Sequence, residues 1–193
     1  MDLSLAYAAF DAYNNQDPNK EIFGDLSISK ETLYGLRMSI WLNKYAPESA
    51  DAVKLAARSQ HIGRWESERK DFPMDRVGYL KWRSQLAIHH AGIAGGILDS
   101  LGYDRSLIEN VKFLLQKKQL KQNAETQLLE DVIFLVFVEH YLEVFAAKHE
   151  DEKVVDIIAK TLKKVSNNAI QMSGSIYLSE RIKGLIGKAA NLT

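Results

Sequence analysis

The chain predicts an all-α fold, a single helical domain over residues 1–193 built as a bundle of about seven helices. Three observations predict it. Prolines are confined to Pro18, Pro47 and Pro73, each in a polar stretch that reads as a connection, and none occurs in the remaining 120 residues. Apolar residues recur at helical spacing over long segments. No hairpin dipeptide or pair of alternating strands is recognised, so no sheet is expected.

The elements follow in order. Leu33, Leu36, Ile40 and Trp41 fall at i, i+3, i+7 and i+8 behind an N-cap at Ser29. Ser49 to about Glu68 is Ala-rich and reads as one helix through Val53, Ala56, Ala57, Gln60, Ile62 and Trp65. Met74 to Leu101 is a third, stopped by Gly102, and Arg105 to Leu115 a fourth. Thr126 to His149 contains no breaker. Within it Val132 to Val138 is β-branched and aromatic enough for a strand, but the run continues without a turn signal, so a buried helix is expected. Asp151 to about Asn167 and Tyr177 to Lys188 complete the set.

Composition narrows the classes of function. Basic and acidic residues number 25 each, so the net charge is zero, with 46% hydrophobic and 26% charged residues. Such a chain is folded, and it lacks the basic excess of a protein that coats nucleic acid. The absence of cysteine excludes disulfides, zinc fingers, iron–sulfur clusters and thiol nucleophiles. The longest apolar run, Val132 to Val138, is too short for a bilayer, so no membrane partner is expected. An N-terminus with Asp2 and Asp11 lacks a signal-peptide layout, and a cytoplasmic location is the expectation.

Three clusters carry candidate chemistry. Arg58, His61, Arg64 or Trp65, and Glu68 would form one stripe on a helix. From Arg58 to Arg83 seven basic residues, including Arg69 and Arg76, face four acids, and Tyr79, Trp82 and Trp65 interleave with them. This reads either as a solvated face of ion pairs or as an anion pocket, because arginine matches phosphate and carboxylate with paired donors. The second cluster is His89-His90, about 100° apart on a helix, with Arg83 two turns before His90. Small residues Ala91, Gly92, Ala94, Gly95 and Gly96 follow it, suited to a helix contact within the monomer or across a homo-oligomer. The third is Glu130-Asp131. Asp131 shares an apolar side with Leu135, Val138 and Leu142, and an acid there needs a cation, a metal or a hydrogen-bond partner.

The order His61, His90, Asp131 resembles the HD phosphohydrolase superfamily, an all-helical fold that holds divalent metal against a phosphate ester. The resemblance implies an HD-domain-like bundle in which His61, His90 and Asp131 bind a divalent transition metal, Mn²⁺, Fe, Co or Zn. Arg83 and Glu130 then serve catalysis, the first on developing phosphate charge and the second on the attacking water. Arg58, Arg64, Trp65, Arg69, Arg76 and Tyr79 bind the ligand, a small phosphorylated molecule such as a nucleotide. Ala91 stands where that family pairs an Asp with the second histidine. The alternative is a non-catalytic module that binds an anionic ligand or a protein through the same Arg and aromatic surface.

A second resemblance covers nearly the whole chain. Asn15-Gln-Asp-Pro-Asn19, Ala56 to Trp65, Phe72 to Arg83 and Leu129-Glu-Asp131, with Thr161 to Ser166 more loosely, are similar to a family of uncharacterised proteins known as domain of unknown function 4202. Phe72-Pro73 and Lys164-Val165-Ser166 stand where that family would show Tyr-Pro and Lys-Met-Ser. The resemblance favours His90 over His89 as the functional histidine and names no reaction. His61-Ile-Gly-Arg64 also resembles the HIGH signature of class I aminoacyl-tRNA synthetases. That signature works at a helix start behind a parallel strand, and here the run is expected inside a helix.

Overall fold

A computed structural model describes residues 3–192 of the chain; Asp2, read above as part of an acidic N-terminus, lies outside them. The fold is all-α, as the apolar period predicts. It packs as two compact units, Met1–Lys118 and Gln119–Thr193.

The first unit opens with α1 (Ser4–Asn14), then a hairpin of β1 (Lys20–Phe23) and β2 (Leu26–Ser29), antiparallel with Lys20 opposite Ser29. The hairpin corrects the expectation of no sheet. Gly24, at φ 60°, takes the first of two loop positions, as a type II′ turn requires. Next comes α2 (Lys30–Tyr45), and Ser29 does precede it. Its Oγ, however, donates to Asn15 O, and Asp17 Oδ2 instead accepts from Glu31 N at 3.3 Å.

The helix expected to run from Ser49 to about Glu68 is only α3 (Asp51–Arg58). Four-residue turns follow it, Ile62 N to Ser59 O and Arg64 N to His61 O, and Gly63 adopts φ 68°. Short 3₁₀ turns at Arg64–Glu66 and Arg69–Asp71 lead on. The single-helix stripe of Arg58, His61, Arg64 and Glu68 is therefore corrected, as those residues lie on a helix end and successive turns. Then come α4 (Arg76–Ser100), capped by Asp75, and α5 (Arg105–Leu115), capped by Asp104. Phe10, Met38, Leu55, Ile62, Leu98 and Leu114 are buried in this unit's core.

The second unit holds α6 (Ala124–His140), α7 (Leu142–Ala146), α8 (Asp151–Leu162), α9 (Asn167–Ser173) and α10 (Glu180–Ala190). The helix expected through His149 breaks at Tyr141 (φ −126°, ψ −24°), which divides α6 from α7. The next stops at Leu162, because Ser166 starts a new helix by accepting from Ala169 N. Ten α-helices are thus described rather than about seven. Val132 to Val138 is helical and mostly buried, as length argued. Among the described residues no helix is long and apolar enough to cross a membrane.

Candidate functional site

A cavity of about 280 Å³ in the first unit gathers Gln60, His61, Arg64, Arg83, His90 and Lys117, and Ser84 and Gln116 also line it. Two local features place these side chains. The αL glycine at 63 turns the chain after α3, and its N–H donates to Asn14 Oδ1 at 3.3 Å. An added Cβ at Gly63 would collide with the Ile93 side chain, so the turn is pressed against α4. That contact brings Ile62 O to His90. Nδ1 of His90 donates to this carbonyl at 2.6 Å, which makes Nε2 the lone-pair nitrogen.

His61 is held on three sides. Its ring stacks on Tyr34, with centroids 3.9 Å apart and 15° between planes. Its Nδ1 lies 3.3 Å from Glu31 Oε2. Its Nε2 lies 3.2 Å from Arg64 Nη1, which can only donate, so Nε2 accepts and Nδ1 carries the proton toward Glu31. Arg64 also lies over the Trp82 ring, 5.3 Å from its centroid, and 4.0 Å from Glu31 Oε1. The two imidazoles are neighbours, 5.9 Å between centroids.

Burial dominates the proton affinities here. It raises the Glu31 carboxyl to about 7, against a smaller downward pull from Arg64. It lowers His61 well below the usual imidazole range, aided by the charges of Arg64 and Arg83. It lowers His90 to about 3, although the bond to Ile62 opposes the shift. At neutral pH both imidazoles are therefore uncharged, and the cations facing the cavity are Arg64, Arg83 and Lys117. The Arg83 guanidinium makes no ion pair among the described residues. The buried Gln60 side chain has an Oε1 without a hydrogen-bond partner. An amide can present either edge to a ligand by flipping. Cations, amides and a hydroxyl around a small hollow are suited to an anion.

The other expected residues go elsewhere. Arg58 is bound to Asp11 through Nε at 2.9 Å and through Nη2, and it does not line the cavity. Trp65 packs on Tyr13, whose hydroxyl donates to Glu66 Oε1 at 2.7 Å. Arg69 donates to the carbonyls of Phe72 and Asp75 and lies over Tyr79. Tyr79 in turn neighbours Trp82. Arg76 is exposed at the start of α4. His89 turns to Glu66 and Gly63 O, while its neighbour His90 faces the cavity.

Asp131 and the buried Glu130 belong to the second unit, on α6. Asp131 Oδ1 accepts from Gln127 Nε2 at 3.0 Å and Ser166 N at 2.8 Å, and Oδ2 accepts from Ser166 Oγ at 2.6 Å. Of the three partners such an acid could need, it has hydrogen bonds. His90 suits a metal, with Nδ1 held and Nε2 as lone pair, whereas the Nε2 of His61 is engaged by Arg64. Yet among the described residues no three His, Asp or Glu side chains are grouped to hold one.

Sequence reasoning missed Gln60 as a lining residue, although a polar side chain at an apolar-period position was a signal. Neither Glu31 nor Lys117 stood out as a site residue. Lys117 adopts φ 53° in the polar stretch after α5.

The class of protein these features define is an all-helical chain with a cation-lined cavity in its first unit. The chain belongs to the family described as domain of unknown function (DUF4202), which matches residues 4–186. No curated protein and no solved structure matches it. Three of the runs that resemble the family meet around this cavity. The Asn15 to Asn19 loop seats the start of α2 and so Glu31, Ala56 to Trp65 supplies Gln60, His61 and Arg64, and Phe72 to Arg83 supplies Trp82 and Arg83. The remaining two runs meet each other at the bond between Asp131 and Ser166.

Proposed function

We propose that the first unit binds a small phosphorylated molecule, a nucleotide or another phosphate ester, in the cavity lined by Arg64, Arg83 and Lys117. The observation that carries this reading is the unpaired Arg83 guanidinium facing the same hollow as the buried Gln60 amide. Arg83 and Lys117 supply charge to phosphate oxygens, and the Arg64 guanidinium, braced on Trp82, presents a fixed edge. Gln60, Ser84 and Gln116 add neutral hydrogen bonds. The Nε2 lone pair of His90 accepts from a ligand hydroxyl or a protonated phosphate, while that of His61 is engaged by Arg64.

A second reading, metal-dependent phosphoester hydrolysis, is favoured by one observation. The Ile62 carbonyl holds His90 in the tautomer that metal-ligating histidines use. The ligand's own phosphate oxygens would then complete the metal's coordination. Three nearby cations oppose a metal ion unless phosphate enters with it.

Thermal shift and calorimetry with inorganic phosphate and nucleoside mono-, di- and triphosphates, with and without Mn²⁺, separate the readings. Binding independent of Mn²⁺ is expected, weakened about 10- to 100-fold by Arg83→Ala, the loss of one or two charge-assisted bonds. Phosphate release that requires Mn²⁺ and is lost in His90→Ala selects the second reading. Absence of any stabilisation across the set defeats both.

A further inference from the structure

The second unit contains a cavity of about 280 Å³ that the polar site does not use. Its walls are Phe134 and Val138 of α6, Ile158 and Leu162 of α8, Ile170 of α9 and Ile186 of α10. Four of these six, Phe134, Val138, Ile158 and Leu162, belong to the buried core. The two hydroxyls on the wall are already engaged. Thr161 Oγ1 donates to Ile157 O at 2.8 Å, and Ser173 Oγ donates to Ile170 O at 2.7 Å. Water needs several polar partners to settle in a hollow, and this one offers few. An apolar cavity of about 150 Å³ stays dry and takes up benzene, so this space suits something larger and equally apolar.

The wall contains one charged side chain, Lys183. Its ammonium is exposed and pairs with Glu180 Oε1 at 2.7 Å, three residues away on the same helix. Exposed pairs of this kind are weak and exchange readily for another carboxylate. We infer that the cavity binds a medium-chain alkyl carboxylate, with its tail among Phe134, Ile158 and Ile170 and its head at Lys183.

The probes are octanoate and octanol, followed by calorimetry and by thermal shift on the full chain. Octanoate should bind saturably and at least several-fold more tightly than octanol. Ile170→Trp and Ser173→Phe, which fill the space from two sides, should each lower octanoate affinity tenfold or more while circular dichroism stays unchanged. Lys183→Gln should bring octanoate down to the affinity of octanol. No saturable octanoate binding, or binding that survives either filled variant in its folded form, would overturn the inference. Octanol binding as tightly as octanoate to the unaltered protein would overturn its ligand class. Xenon, which enters dry hollows, should be taken up by the unaltered protein and excluded by the filled variants. None of these outcomes bears on the phosphate site, whose test uses different ligands.

Discussion

Glu31 and His90 sit within one small region and titrate in opposite senses. The Glu31 carboxyl is held near 7 when folded and lies near the ordinary 4.5 when unfolded, so the folded chain holds its proton longer. Its contribution therefore worsens as pH rises from 4.5 to 7 and is constant above that. His90 is near 3 when folded and near 6.5 when unfolded. Its contribution worsens as pH falls from 6.5 toward 3, and His61 acts in the same direction. Each pH unit within a window is worth about 1.4 kcal/mol per group. Below 6.5 two histidines outweigh one carboxyl, so the melting temperature should peak close to pH 6.5. Glu31→Gln should flatten the alkaline side of that peak and His90→Gln the acid side, measured by thermal unfolding from pH 4 to 9. A variant profile that parallels the parent's would contradict the assignment. These residues show how partial a sequence is at this scale. His61, Arg64, Arg83 and His90 were legible from residue type and order. Their partners Glu31, Tyr34 and Ile62 were not, since each is brought to the histidines by packing between elements.

At the scale of elements, the apolar period located the helices but not their ends. Ala-rich sequence continues past Arg58 without a break in pattern, and only the αL demand at Gly63 marks the turns that shape the cavity. The hairpin was missed because each strand is only four residues long and Lys20–Phe23 does not alternate, although Leu26–Ser29 does and Gly24-Asp25 is a turn signal. The partners of Asp131 lay beyond reach for a different reason, as Ser166 is 35 residues away and meets it only when α6 and α9 pack. Glycines provide a direct test of helix packing. A Cβ added at Gly35 of α2 would lie 2.5 Å from the carbonyl oxygen of Arg58, where α2 and α3 touch backbone to backbone. Gly92 and Gly96 of α4 face open space, and Gly95 meets only the flexible end of Lys112. Gly35→Ala should therefore destabilise by about 1–3 kcal/mol, the cost of forcing an overpacked contact. Gly92→Ala should stabilise by roughly 0.5–1 kcal/mol through helix propensity alone. Urea titrations of the two variants check the sign and the contrast.

For the whole molecule, a net charge of zero conceals local imbalance: three cations border one cavity of the first unit, and an apolar hollow lies in the second. Hydrogen exchange on the intact chain should register the two ligands in different places. A bound phosphate ester should slow exchange around Ile62 to Arg64 and Lys117, and octanoate should slow it in α9 and α10. Protection spread evenly over the chain by either compound would count against localised sites. The all-helical class was legible in the sequence because it rests on spacing summed over many residues. Division into two units was not, since the stretch around Lys118 and Gln119 contains no proline or glycine. Its irregularity is written instead in the backbone, where Lys117, Gln119 and Lys121 take φ of 53°, 55° and 74°.

The carbonyl of Ile62 does more than orient an imidazole. By fixing the proton on one nitrogen, it gives His90 a distinctive magnetic signature, with the two ring nitrogens resonating far apart instead of averaging between tautomers. An occupant that protonates or polarises the second nitrogen shifts chiefly that nitrogen's resonance, so the residue serves as a built-in reporter that distinguishes a bare anion from an anion accompanied by metal.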